Sequence, residues 1–126
     1  MTEYLTDEWG FFIRSSRQYE RFRSPYQAIE VHETEPFGKL FRLDGHFMTS
    51  EQDEFFYHEN LVHLPGITHP APERALIVGG GDGGSAEELL KYPSFKDATP
   101  AEIDTAVVDV VLVAVGLVVL RTERGK

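Results

Sequence analysis

The sequence contains no cysteine, which excludes disulfides and thiolate-ligated metal centres and fits a reducing compartment. Positive charge is scarce: 12 Lys and Arg stand against 21 Asp and Glu, for a net charge of −9. That balance argues against nucleic acid as a partner, because affinity there depends on neutralising phosphates. The stretch Met1 to Glu8 has no apolar core of the kind an export signal needs. One long apolar run exists, Thr105 to Leu120; it carries Asp109 and is short beside the about 20 residues of a membrane span. It reads as a buried or unpaired segment, and these absences together predict a cytoplasmic chain with no membrane partner. The scarcity of positive charge is sharpest from Leu43 to Glu73, where no Lys or Arg occurs but Asp44, Glu51, Asp53, Glu54, Glu59 and Glu73 do. Such a field attracts cationic ligands; a solvated acidic face has the same composition.

What remains is enough to fold. With 41% hydrophobic residues, nine Phe, five Tyr and one Trp, 126 residues make one modest domain, or one small domain and part of another. Trp9, Phe11, Phe12 and Ile13 read as a first strand with its aromatics on the core, and Arg14 to Ser24 as a loop or irregular edge segment. Tyr26 to Glu33 alternates, with Gln27, Ile29 and Val31 on one face, and predicts a half-buried strand. Lys39 to Leu43 follows, and Asp44-Gly45 before His46-Phe47-Met48 is a two-residue hairpin signal. Residues 9 to 49 therefore predict a small antiparallel sheet. Thr49 with Gln52, or Ser50 with Asp53, can cap a helix from about Glu51 to Leu64, closed by Pro65-Gly66. Its apolar residues occupy more than one side, Phe55 and Val62 on one and Tyr57, Leu61 and Leu64 on another, which predicts a helix sandwiched between layers.

The centre of the chain is Ala75-Leu76-Ile77-Val78-Gly79-Gly80-Gly81-Asp82-Gly83-Gly84-Ser85: a buried strand, a glycine turn and a helix start, the helix running from Ser85 to Lys91. Gly79, Gly81 and Gly84 have the spacing that lets backbone N–H groups approach a nucleotide-like ligand. Asp82 is out of place in a phosphate loop, since a helix N-terminus that holds pyrophosphate needs positive potential. It suits instead a nucleoside carrying a sulfonium or amine, and S-adenosyl compounds fit better than a dinucleotide. A second strand is expected after Phe95, but Lys96 to Ala101 has little β-propensity and Pro100 is unwelcome in a central strand.

Glu102 lies 18 residues past Gly84, where nucleotide-binding α/β folds place a carboxylate on ribose hydroxyls. A surface glutamate is the plainer alternative. His58 and Glu59 are adjacent rather than four apart, so a helical metal site is poorly formed, and His58 reads as a core histidine or a ligand residue. Gln27 is a polar residue on an apolar strand face, its plainer reading an edge amide bonded to backbone. No nucleophilic Ser-His-Asp order is present, and Ser85 reads as a helix cap.

Six motifs occur in one order: Ser24-Pro25-Tyr26-Gln27, Phe37-Gly38-Lys39-Leu40, Leu43-Asp44-Gly45, Asp53-Glu54-Phe55-Phe56-Tyr57-His58-Glu59, Gly79 to Gly84, and Glu102-Ile103-Asp104. Together, over about residues 9 to 110, they resemble the polyamine aminopropyltransferases, most closely the bacterial spermidine synthases. The resemblance implies an α+β protein: a small N-terminal antiparallel β-domain with a joining helix over residues 1–66, then the first part of a Rossmann-like, methyltransferase-type domain over 67–126. It implies transfer of an aminopropyl group from decarboxylated S-adenosylmethionine, a co-substrate rather than a cofactor, to putrescine, giving spermidine and methylthioadenosine. By match of position, Gln27 contacts the nucleoside, His58 and Asp82 bind the polyamine or the aminopropyl end, Glu102 binds ribose, and Tyr57 lines the amine channel. No metal is implied, and a homo-oligomer is, a dimer in the family. The family's catalytic aspartates follow a later strand, so the general base is expected beyond Lys126 and the chain is expected to be an N-terminal portion. The valine-rich tail after about Leu112 departs from the family pattern. A non-catalytic remnant or assembly module that keeps part of the nucleoside pocket is the alternative, and a methyltransferase shares the loop.

Overall fold

The structure, a computed structural model, describes residues 1–114. It opens on an antiparallel ribbon of β1 (Thr2–Tyr4) and β2 (Gly10–Phe12). The expectation that the aromatics here reach the core is corrected: Trp9, Phe11 and Phe12 are all exposed. A ribbon of two three-residue strands has no second layer to bury them against. Phe11 packs only on Phe47, with ring centroids 5.2 Å apart.

A four-stranded antiparallel sheet follows, in the order β3 (Arg17–Arg23), β4 (Ala28–Thr34), β5 (Gly38–Leu43) and β6 (His46–Ser50). Of the two readings of 14–24, a loop or an irregular edge segment, the second holds: β3 is the outer strand, with a register shift between Gln18 and Glu20, and its arginines are acceptable because it is exposed along its whole length. Charge on such an edge also deters pairing with another chain. Inside the sheet Ile29 pairs with Leu43 and Val31 with Phe41, and Ile29 and Val31 are fully buried, as the alternation requires. Asp44 and Gly45 both have positive φ, 48° and 88°, and turn β5 into β6 as the hairpin signal predicts.

Helix α1 (Glu54–Thr68) begins later than expected and ends later. Ser50 stays in β6, and its hydroxyl binds Asp53 Oδ1 at 2.5 Å instead of a helix N–H; Asp53 is the N-cap, without a side-chain cap bond. Pro65 does not close the helix, because the last turn is held past it: His69 N–H and Thr68 Oγ1 both reach the Pro65 carbonyl, at 3.0 and 3.1 Å. The expected division at residue 66 thus falls inside α1. Nor is α1 sandwiched: His58, Val62 and Gly66 form one buried line, while Phe56, Tyr57, Leu61 and Leu64 are exposed.

A parallel β-α-β unit completes the layout: β7 (Arg74–Val78), α2 (Gly84–Leu90) and β8 (Asp97–Ala101), in register from Arg74 against Asp97 to Val78 against Ala101. The strand thought damaged therefore forms, with Pro100 opposite Ile77. It is tolerated because β8 has one partner strand among the described residues and an open second edge. Ser85 is inside α2, not its cap; Gly83, at φ 80°, turns the chain into the helix without a capping side chain.

The valine-rich run starts as α3 (Thr105–Ala114), and the part from 115 to 120 lies outside the described residues. Val107 and Val111, four apart, pack on Ile29, Val31 and Phe41. The core is thus shared between the sheet of the first half and a helix of the second. No helix among the described residues is long and apolar enough to cross a membrane.

Candidate nucleoside and amine site

The glycine loop is built around close approaches. Gly79, Gly80 and Gly83 have φ near 80°, the left-handed region that side chains avoid. Gly84 is different: its φ is ordinary, but a Cβ there would sit within the His58 ring. The absence of that carbon lets the α2 N-terminus press onto α1 and brings His58 to the loop.

His58 is almost fully buried and is held from both sides by carboxylates. Its Nε2 lies 3.2 Å from Asp82 Oδ2, and its Nδ1 bonds to Glu54 one helical turn earlier. Burial pushes the imidazole towards neutrality, but the hydrogen bonds to Asp82 and Glu54 and their charge outweigh it, and the pKa rises to about 9. At pH 7 both nitrogens therefore donate, and the trio carries one net negative charge. Asp82 is half-buried, and its other oxygen accepts the Gly84 N–H at 3.3 Å. Tyr57 stands edge-on to His58 with ring centroids 5.3 Å apart, but its side chain is largely exposed.

Glu102, at the end of β8, is half-buried beneath the same loop. Oε2 accepts the Gly81 N–H at 3.1 Å and Oε1 accepts the Asp104 N–H at 2.9 Å. Asp104 is 2% exposed, although among the described residues it pairs with no cation. Its Oδ2 accepts from Ser24 Oγ at 2.6 Å and Gln27 Nε2 at 2.9 Å, and its Oδ1 from Ala106 N–H at 3.2 Å. The Ser24 hydroxyl leads in holding its pKa below the usual carboxylate range, against burial and with help from Gln27 and the Ala106 N–H. Gln27 is thus tied across 77 positions to the second half of the chain, not to an edge backbone group.

The sequence-predicted residues fall into two groups joined by the loop: His58 with Asp82, and Gln27 with Glu102 through Asp104. Two participants escaped sequence reasoning. Glu54 is four before His58, a helical spacing that signals the pair. Asp104 had no such signal, since its partners are 77 and 80 residues away. Among the described residues no group of three or more His, Cys, Asp or Glu is placed to hold a metal ion. A cavity of about 920 Å³ lies beside this site, between α1 and β7; Tyr57, Leu61, Val62, Leu76 and Val78 line it, and of the predicted residues only Tyr57 does.

An antiparallel β-domain led by a helix into a β-α-β unit, with an acidic glycine loop and a carboxylate just after the next strand, is the layout that opens a Rossmann-like fold. The comparisons carry this to a family. Residues 54–113 match a family model described as the spermine/spermidine synthase domain, and residues 19–51 match one described as the spermidine synthase tetramerisation domain. The chain belongs to the spermidine synthase family. It is 52% identical over 107 residues to the polyamine aminopropyltransferase of Nitrosomonas europaea, covering 85% of this chain and 33% of the relative. It is 48% identical over 108 residues to polyamine aminopropyltransferase 1 of Bacillus cereus, covering 86% and 39%. Spermidine synthase from Thermotoga maritima superposes with a TM-score of 0.87 at 40% identity, over 90% of this chain and 41% of that one. A crystal structure of spermidine synthase in complex with the transition-state analogue AdoDATO superposes equally well, covering 39% of that chain. The chain thus spans a third to two fifths of the length of these relatives.

Proposed function

We propose that this chain forms the donor- and amine-holding part of a spermidine synthase, which moves the aminopropyl group of decarboxylated S-adenosylmethionine to putrescine. The observation that carries the reading is the Glu54–His58–Asp82 trio around a buried histidine, which sets net negative charge in a glycine loop of nucleoside-binding form. Such a loop repels pyrophosphate and favours a nucleoside bearing a cation. In this reading Gln27 and Glu102 hold the nucleoside, Asp82 and His58 the charged aminopropyl or amine end, and Tyr57 the approach of the amine.

In the reaction the lone pair of a neutral amine attacks the aminopropyl carbon bound to sulfur. The carbon–sulfur bond breaks, its electron pair neutralises the sulfonium, and methylthioadenosine leaves. Putrescine amines titrate near pH 10, as lysine does, so a base must first take one proton. His58 cannot be that base at neutral pH, because it is already protonated between two carboxylates. The base falls to a carboxylate of the remaining fold, and turnover is assigned to the protein with that portion in place. The donor is a co-substrate and no cofactor or metal enters. A cytoplasmic homo-oligomer completes the proposal, supported by the lack of cysteine and by the tetramerisation-domain match over 19–51.

Incubation with putrescine and decarboxylated S-adenosylmethionine, followed by chromatography, tests the activity: spermidine and methylthioadenosine are expected in equal amounts from a protein that carries the remaining portion. A second reading, a non-catalytic module that keeps the nucleoside pocket, is favoured by the matched share of the relatives, 33% to 41%. Binding of methylthioadenosine without spermidine formation selects it, and turnover with S-adenosylmethionine as methyl donor would select a methyltransferase.

A further inference from the structure

Asp104 is the least expected residue near the site: a buried carboxylate that pairs with no cation among the described residues and accepts from three neutral donors. Ser24 settles its polarity. The Ser24 hydroxyl accepts the N–H groups of Tyr26 and Gln27, both at 3.1 Å, and its single proton has two acceptors in reach, the Gln27 carbonyl at 3.2 Å and Asp104 Oδ2 at 2.6 Å; the shorter bond, to a carboxylate, takes it. A carboxylate held this way only accepts, and the Gln27 side chain can meet it only with its NH2 group. The amide therefore has one permitted orientation, on chemical grounds that do not depend on telling O from N. Its Oε1 is turned away from Asp104 and takes no hydrogen bond from the described residues. The same Asp104 donates its backbone N–H to Glu102, so one residue holds both expected nucleoside contacts.

We propose that Asp104 is a positioning residue that locks the Gln27 amide with its carbonyl oxygen toward the ligand, so that Gln27 and Glu102 together select hydrogen-bond donors, such as the hydroxyls of a ribose. This rests on the reading of Gln27 as a nucleoside contact. It predicts a reversal of polarity. In Asp104→Asn the amide oxygen keeps the Ala106 N–H, the NH2 takes the place of Oδ2, the Ser24 proton turns to the Gln27 carbonyl, and the Gln27 amide turns over, so that an NH2 group faces the ligand in place of an acceptor. In Gln27→Glu two carboxylates meet. Combining the two restores a donor facing an acceptor and returns a carboxylate oxygen to the ligand.

The test is titration calorimetry of methylthioadenosine against the wild type, the two single variants and the double. Each single is expected to weaken binding about tenfold, the loss of one well-made hydrogen bond, and the double to recover to within about threefold of wild type. Losses that multiply to about a hundredfold would overturn the proposal, since a merely structural Asp104 gives independent effects. Should the wild type not bind, the nucleoside reading fails, and the lock is judged on ligand-free protein. There Gln27→Glu must lower the melting temperature and Asp104→Asn must restore it. NMR of the wild type adds a readout that needs no variant to fold: one Gln27 side-chain amide proton shifted downfield by the carboxylate supports the lock, and freely averaging amide protons overturn it.

Discussion

Nε2 of His58 stands 3.2 Å from Oδ2 of Asp82, so a residue of the helix after the β-domain and a residue of the glycine loop form one charged pair. With Glu54 on the other ring nitrogen, the histidine is a fixed cation. It holds Asp82 in place, and in the proposed function the negative charge in excess, one unit, is what a cationic ligand would meet. A buried charge without its partner is strongly destabilising, so the three side chains stand or fall together.

Stability should therefore fall as pH rises through the alkaline range. His58 has a pKa of about 9 in the folded chain against an ordinary 6.5. A raised folded value stabilises fully below 6.5 and is lost as pH passes 9, a contribution on the order of 3 kcal/mol from a shift of about 2.5 units. Urea denaturation at pH 6 and at pH 9.5 checks it. The wild type loses stability between the two, and His58→Gln flattens the difference; an unchanged slope in that variant would remove His58 as the cause.

Gly84→Ala should be among the most harmful single substitutions. The added Cβ meets the His58 ring, which carboxylates pin on both nitrogens and which has nowhere to move. A loss of about 2 kcal/mol or more is expected, as for overpacking in a rigid core. Gly45→Ala is the control, because its Cβ meets only the end of Arg42 and the strain there comes from φ alone. Melting of the two variants ranks them, with Gly84→Ala the lower.

Local signals carried much of this fold into the sequence. Alternation at Ile29 and Val31, Asp44-Gly45 with its positive φ values, and the strand before Gly79 all use rules that act within a few residues. The failures share a cause as well. Pro100 is accepted because β8 has an open edge among the described residues, and Trp9 and Phe12 are apolar without being covered. Each depends on where an element sits among its neighbours, which no window of sequence contains. Ser85 misled for the opposite reason: a common cap residue followed a glycine that needed no cap. At the site, Asp82 and Glu102 stood out by type and spacing, while Asp104 is defined only by partners on β4's approach, Ser24 and Gln27.

Asp82→Asn should separate charge from shape in ligand binding. The amide keeps the size of the side chain but removes its charge, and the trio becomes neutral. Decarboxylated S-adenosylmethionine carries a sulfonium and an ammonium that methylthioadenosine lacks. Binding of the donor should weaken about tenfold or more, as for loss of a charged hydrogen bond, and that of methylthioadenosine by less than about threefold. Calorimetry with both ligands at low and moderate salt reads the difference. Equal losses would mean that Asp82 shapes the loop without meeting the cation.

The open side of β7 leads to a prediction about association. Among the described residues β7 pairs with β8 alone, and its outward residues Leu76 and Val78 are 67% and 85% exposed. An unpaired edge beside contiguous apolar surface, with Leu61 and Leu64 of α1 also exposed, favours contact with other chains. Val78→Lys puts a charge on this surface without touching the trio or Asp104. The wild type should sediment as associated species whose size grows with concentration, and Val78→Lys should lower that growth. The substitution also distinguishes two kinds of assembly: association through the sheet matched by the tetramerisation-domain model would persist in Val78→Lys, and association through β7 would not.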